Sequence, residues 1–144
     1  MNHNFGFSWK GFIVILLPMI PNLFYFLIPA SDVSNNLSNS HFILDVLEHG
    51  SQGIFIFLLL FVVSKQLSKI LCLHTIGMAI LLISYYVLWI LYFTGNANDF
   101  TFLGMAVLPV VYFILAEIWI GNYLAIIPTT FFGIVHVIIT FMNL

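Results

Sequence analysis

The sequence predicts an all-α protein, a polytopic membrane helix bundle with five transmembrane helices. Of its 144 residues, 62% are hydrophobic and only 6% are charged, and the mean hydropathy is +1.16. Such a chain cannot present the charged surface that a soluble domain of this size needs. The apolar residues form blocks of about 20, the length that a helix needs to cross about 30 Å of hydrocarbon. The short alternating strands of a membrane β-barrel follow a different pattern.

The first helix is predicted over residues 11–29, an apolar run that contains Pro18 and Pro21. Each proline removes a backbone hydrogen bond and bends the helix, so the freed carbonyl groups need other partners. Asn22 follows directly, and we expect this segment to turn carbonyl groups toward an interior cavity. A cleaved signal peptide with Lys10 as its basic region is the alternative interpretation.

The other apolar blocks predict helices over residues 42–63, 70–93, 101–120 and 123–142. Runs of Ser, Asn, Asp and Gly separate them, and such runs end helices because these residues favour turns. The shortest break is the pair Gly121 and Asn122. Without it the count falls to four, but about 42 residues from position 101 onward would then overrun any bilayer. The sequence therefore favours five helices.

The lysines predict the orientation of the bundle. Lys10 precedes the first helix, and Lys65 and Lys69 lie between the second and third. These segments share one side of a five-helix bundle, and lysines concentrate on the cytoplasmic side of membrane proteins. We therefore expect the N-terminus inside and the C-terminus outside, with Asp32 and Asp99 in outer loops.

A polar stripe interrupts the second helix. Four residues stand at positions i, i+3, i+4 and i+7 and so share one face: Asp45, Glu48, His49 and Gln52. A carboxylate at the centre of a bilayer costs roughly 2.5–3.5 kcal/mol, so this face should turn toward the bundle. His136 on the fifth helix comes to a similar depth, and we expect the two helices to meet there.

The candidate ligand-binding or proton-binding residues lie in the outer half of the bundle: Asp45, Glu48, His49, Gln52, His136, Asn22 and Tyr25. Nearer the inner side are Glu117 and His74. Glu117 is expected to reach interfacial water or to pair with Lys65 or Lys69. Together Glu117 and His74 are also candidates for the inner station of a proton path. The alternative for all these residues is that their hydrogen bonds only hold helices together, at about 0.6–2 kcal/mol each.

Several other classes of protein and site are disfavoured. A net charge of −2 with no arginine leaves no basic patch for nucleic acid. The single Cys72 excludes an internal disulfide and a cysteine-based metal site. No hydrolase motif or glycine-rich phosphate loop is found, so the sequence does not favour an enzyme, and no cofactor is predicted. One alternative remains open, a haem or divalent metal held by His49, His136 and Glu48.

Five sequence stretches carry a resemblance to a known group: "FGFSWKGF", "LPMIPNLFYF", "LEHGSQ", "YYVLWILYF" and "LGMAVLPVVYFILAEIW". Over nearly its whole length the chain resembles a group of small bacterial integral membrane proteins of unknown function. The resemblance implies a multi-pass protein of the bacterial cytoplasmic membrane and draws attention to Pro21, Asn22 and Glu48. This chain has His49 where the group has an arginine, so the resemblance does not imply a fixed ion pair at that position.

Three functional classes follow from these observations. The first is a transport or ligand-binding protein with a polar cavity in the outer half of the membrane, linked to protons through Glu48 and His49. The second is a non-catalytic accessory or immunity-type protein that acts through helix contacts. The third is an intramembrane enzyme or a metal or haem carrier. Besides the lipid bilayer, the expected partner is a second copy of the chain or another membrane protein.

Overall fold

The computed structural model describes residues 3–27, 42–64, 70 and 72–144. Within these residues the chain forms two short strands and five helices, which confirms the all-α class. In chain order they are β1 (His3–Phe5), α1 (Trp9–Leu27), α2 (Phe42–Phe61), β2 (Val62–Ser64), α3 (Leu73–Phe93), α4 (Asp99–Ile120) and α5 (Tyr123–Met142). The expectations for Pro29, Asp32, Lys65 and Lys69 lie outside the described residues.

Four of the described helices, α2 to α5, are long and apolar enough to cross a membrane. The apolar part of α1, Trp9–Tyr25, is shorter. Four such helices in one chain indicate a multi-pass membrane protein. The predicted bounds of α5 agree with the structure, whereas α4 begins two residues before the predicted start. The reason is a cap, because Asn98 Oδ1 accepts a hydrogen bond from the Thr101 N–H at 2.9 Å.

A sharp turn separates α4 from α5, as the sequence predicts. Gly121 adopts the left-handed conformation, with φ of 77°, which glycine adopts without the steric cost of a side chain. The Asn122 N–H donates to the Glu117 carbonyl at 2.8 Å, so the end of α4 is closed by its own turn. The chain therefore reverses within two residues, and α4 and α5 become antiparallel neighbours.

The helices pack in the order α3, α4, α5 and α2, and α1 lies against α2, α3 and α4 with less extensive contacts. The centre of the core lies between α2, α4 and α5. Phe55 sits there with its ring centroid 5.1 Å from that of Phe113 and 5.4 Å from that of Phe132. All three side chains are buried. We call them the phenylalanine layer.

The N-terminal residues 3–8 form a strap across the end of α2. Strand β1 pairs antiparallel with β2. Beyond the strands, the Gly6 N–H donates to the Phe61 carbonyl at 3.0 Å and the Ser8 N–H donates to the Leu60 carbonyl at 2.8 Å. The strap was not predicted from the sequence, and the predicted second helix extends two residues beyond the observed end of α2 because the apolar run continues into β2.

The strap belongs to a cap on the C-terminal end of α2 that gives hydrogen-bond donors to three of its last four carbonyls. The last four carbonyls of any helix lack partners within the helix, and such groups cost several kcal/mol each in hydrocarbon. Two accept from the strap, and the Leu58 carbonyl accepts from Asn122 Nδ2 at 2.8 Å. The fourth, on Leu59, touches Gly11, where a Cβ atom would lie only 2.0 Å from the oxygen. Asn122 also donates to the Val62 carbonyl at 3.2 Å.

The bundle has two chemically different ends. The strap joins the start of α1 to the end of α2, and Lys10 Nζ lies 5.5 Å from the ring centroid of Trp119, near the end of α4. We call this the lysine end. Asp45 and Asp99 stand in the first turns of α2 and α4, at the opposite end, which we call the acidic end.

Candidate functional site

Glu48 and His136 meet between α2 and α5, and the predicted approach of these two helices is confirmed. Glu48 lies six residues after the start of α2, and His136 lies six residues before the end of α5. At about 1.5 Å per residue, both are about 9 Å from the acidic end. His136 Nδ1 pairs with Glu48 Oε1.

The surroundings of this pair differ on its two sides. The Glu48 side chain is 14% exposed and the His136 side chain 32% exposed, so the pair can be reached from outside the core. On the inner side the His136 ring stacks on Phe132, with centroids 5.2 Å apart and planes at 14°. Ser51, which is buried, donates to the Glu48 carbonyl at 3.0 Å. The arrangement is an ionisable pair that is partly exposed on one side and covered by the Phe132 ring on the other.

The rest of the predicted stripe on α2 does not join the pair as closely. His49 is exposed, and its Nδ1 hydrogen-bonds the Asp45 carbonyl of its own helix at 2.8 Å. Asp45 and Gln52 are half-buried. The buried residues of α2 are Ser51, Phe55 and Leu59. His49 directly follows Glu48, so its side chain points about 100° away from that of Glu48 around the helix axis. The bundle-facing side of α2 is thus narrower than the stripe.

Asn22 belongs to a second contact region, between α1 and α3. Its Nδ2 lies 3.3 Å from the Pro18 carbonyl and 3.5 Å from the Tyr85 hydroxyl oxygen, and it donates to both. Pro21 has no N–H and therefore leaves the Leu17 carbonyl free. The Tyr86 hydroxyl donates to that carbonyl at 2.7 Å. The freed carbonyl was expected to face a cavity, but here it accepts a hydrogen bond from a tyrosine of α3.

Tyr25 extends the same contact region toward the acidic end. Its ring centroid lies 6.2 Å from that of Trp89 and 6.0 Å from that of Tyr92, both on α3. The two residues of α1 that the sequence analysis placed in the candidate site, Asn22 and Tyr25, therefore contact α3, whereas Glu48 pairs with α5.

Glu117 is fully buried, at 0% exposure, so the expected contact with interfacial water is not found. Its Oε1 accepts a hydrogen bond from the hydroxyl of Thr129 on α5, which is also fully buried. Its Oε2 accepts no hydrogen bond from the part of the chain that the structure describes. The tight turn brings α5 over the last turn of α4 and excludes water. His74, the other inner candidate, is exposed in the first turn of α3.

The partners of the Glu117 and Glu48 carboxyl groups both lie on α5. Thr129 and His136, their respective partners, are seven residues apart, which is two turns or about 10 Å along the axis. Phe132 stands between them, and with Phe55 and Phe113 it forms the phenylalanine layer. The candidate site therefore has two carboxyl groups with partners on α5: Glu48 with His136 nearer the acidic end, and Glu117 with Thr129 nearer the lysine end.

Glu117 and Thr129 also show what the sequence analysis missed. Thr129 is not among the site residues predicted from the sequence, and Asn122 was named only as part of a turn, although both side chains are 0% exposed. The available signal was the position of each residue in the sequence. Thr129 stands seven residues before His136, and Asn122 lies in a turn that is too short to carry its side chain into water.

Among the residues that the structure describes, no group of three or more His, Cys, Asp and Glu side chains lies close enough to hold a metal ion. Of the three metal ligands considered, His49 turns to its own helix while Glu48 and His136 pair. No protein-family model, curated protein or solved structure matches the chain.

Proposed function

We propose that this protein is a small integral membrane protein of the transport or ligand-binding type, in which the pair of Glu48 and His136 binds and releases a proton. The observation that carries the proposal is the pair itself. A carboxyl and an imidazole from two helices are in direct contact about 9 Å inside the bundle and remain partly exposed. Ionisable groups at such depth are expensive, and in membrane proteins they mark ion or substrate pathways.

The proton content of the pair controls the contact between α2 and α5. With one proton between them, Glu48 and His136 attract each other as carboxylate and imidazolium or share a neutral hydrogen bond. A second proton leaves an imidazolium beside a neutral acid and removes the Coulomb attraction. Binding of a cationic ligand to the Glu48 carboxylate has the same effect, because the ligand replaces His136. Protonation and ligand binding thus act on the same helix contact.

Glu117 is the proposed inner station of the pathway. An ionised carboxylate without a countercharge is costly in a buried apolar site, so a group of this kind carries its proton unless a path to water opens. The phenylalanine layer separates Glu117 from Glu48. Proton transfer between Glu48 and Glu117 therefore requires the phenylalanine layer to part. We propose that a chain this short works as an oligomer or beside a membrane partner.

We also propose five membrane-spanning helices, with α1 as the fifth, an inner N-terminus and an outer C-terminus. The distribution of charge supports this. Lys10 lies at the lysine end, and Lys65 and Lys69 occur in the connection from β2 to α3, whereas the first turns of α2 and α4 carry Asp45 and Asp99. Lysines favour the cytoplasmic side. The resemblance to small bacterial proteins supports the cytoplasmic membrane, and reporter enzymes fused to each terminus test the orientation.

The proposal is tested in two steps. First, purified protein is screened against ionic and neutral solutes by thermal unfolding at pH 5.5 and pH 8. Then a solute that stabilises it is offered to proteoliposomes containing a pH-sensitive dye. The wild type should show binding that depends on pH and solute flux accompanied by protons. Glu48→Gln and His136→Gln should lose both effects, whereas Asp45→Asn, on the same helix and one turn away, should keep them. Unchanged pH dependence in Glu48→Gln would refute the proposal.

A further inference from the structure

A groove opens at the lysine end between α1, α3 and α4. Its volume is about 270 Å³, and its walls are almost entirely apolar. Along α1 the lining runs from Lys10 to Leu17, and along α3 it runs from Thr75 to Leu82. The two ends of each run are seven positions apart, or about 10 Å along the helix. The groove is therefore long and narrow and follows the direction of the helices.

The groove exists because α1 packs less closely than the other helices. Its contacts with α3 and α4 are less extensive than those between α3 and α4. The lining at this point includes the small Ala79, which leaves space that a larger side chain would fill. An apolar groove of this size is unfavourable when empty, since its lining loses dispersion contacts, and water finds few polar partners in it. In a bilayer, the molecule at hand to fill it is a lipid acyl chain.

Positive charge gathers at the mouth of the groove. Lys10 is the second residue of α1, and Thr75 is the third residue of α3, so two helix N-termini border the opening together with the ammonium group. Helix N-termini carry partial positive charge and favour anions. The nearest carboxyl on α4, Glu117, is turned to Thr129 in the core.

We propose that this groove binds one anionic phospholipid, with an acyl chain between α1, α3 and α4 and the phosphate beside Lys10. The apolar walls select an acyl chain and the charged mouth selects the headgroup. Trp119, whose ring lies 5.5 Å from Lys10 Nζ, lines the opening, at the level where tryptophan is favoured in membrane proteins. The site is separate from Glu48 and His136, and it does not depend on the proposed transport function.

The experiment compares phosphatidylglycerol and phosphatidylcholine with identical acyl chains. Full-length protein in detergent is mixed with both lipids, and the bound lipid is counted by native mass spectrometry. A basic residue near the membrane surface contributes about 1 kcal/mol toward anionic lipid, so the wild type should retain phosphatidylglycerol about fivefold better. Lys10→Gln should remove this preference, and Lys10→Arg should keep it. Equal retention of the two lipids by the wild type overturns the proposal.

A second pair of variants tests the acyl-chain part of the site. Ala79→Phe fills the groove and should abolish retention of both lipids. Ile80→Phe makes the same kind of change on the neighbouring residue, which is 60% exposed and does not line the groove, and should retain lipid as the wild type does. A well-folded Ala79→Phe variant that still holds phosphatidylglycerol overturns the groove as its binding place. Because Lys10 is exposed, its variants decide the headgroup part even if Ala79→Phe does not fold.

Discussion

Replacing Gly11 by alanine should destabilise this protein far more than the addition of one methyl group suggests. The new Cβ atom would lie 2.0 Å from the Leu59 carbonyl oxygen and 2.8 Å from its carbon, whereas even close C–H···O contacts have C···O distances of about 3.3 Å. The obstacle is backbone, so no side chain can rotate away. Helix α1 has to move outward by about 1.3 Å, which follows from that difference in distance.

The size of the effect follows from what this movement disturbs. Overpacking a tight contact typically costs about 1–3 kcal/mol. The same shift stretches the hydrogen bonds from Gly6 to Phe61 and from Ser8 to Leu60, now 3.0 and 2.8 Å long, and each contributes about 0.5–1.5 kcal/mol net. The two contributions together come to about 2–6 kcal/mol, so we expect Gly11→Ala to lower the free energy of unfolding by about 4 kcal/mol, the middle of that range.

The matched control is Gly53→Ala on α2, where nothing lies within 4 Å of the added Cβ. There alanine should be neutral or should stabilise by up to about 1 kcal/mol through its helix propensity. Unfolding of both variants is followed by tryptophan fluorescence in detergent, during heating and during denaturant titration. Gly11→Ala should melt about 12 °C below the wild type at about 3 °C per kcal/mol. Equal stability of Gly11→Ala and the wild type would show that α1 does not press against the end of α2.

Three further predictions concern the other helix contacts. Asn122→Ala removes the donor to two carbonyl groups and should lower the unfolding free energy by about 2–4 kcal/mol, measured in the same titration. A decrease in unfolding free energy smaller than that expected for an exposed asparagine would contradict the role of Asn122 in the cap. In a double-mutant cycle with Glu48→Gln and His136→Asn, the coupling energy should be about 1 kcal/mol, and strict additivity would show that the pair contributes nothing. Gly133→Ala places a Cβ 2.4 Å from Val110 Cγ1 and should destabilise, but adding Val110→Ala should recover part of the loss by removing that methyl group; no recovery would mean that the clash lies elsewhere.

Much of the helical pattern was accessible from the sequence, because apolar length and turn composition are local properties. The α5 bounds and the reversal at Gly121 depend only on nearby residues, and both were predicted. The meeting of α2 and α5 followed from the cost of placing Glu48 in lipid together with the matching depth of His136. The predicted cluster thus included both Glu48 and His136, which are 88 positions apart in the chain, but it did not single out their direct pairing.

The features that were not predicted from the sequence depend on contacts that leave no local sequence pattern. Strand β1 and its partner β2 have only three residues each, so neither shows the length or alternation of a typical strand, and two helices separate them in the chain. Glu117 was placed at the interface because it stands near the end of a helix. Its burial arises from α5 folding back over α4, which is decided by tertiary packing. His49 was assigned to the bundle-facing side of α2 because a polar stripe is wider than the face that packing finally buries.

The pairing of β1 with β2 also constrains how the chain is made. Translation proceeds at about 5–20 residues per second, so the 57 positions between Phe5 and Val62 take roughly 3–11 s to emerge. During this interval α1 has already left the ribosome, but β2, with which the strap pairs, has not. Entry of the first helix into the membrane and its final seating are thus separate events in time. A folding factor that shields the strap would act within that interval.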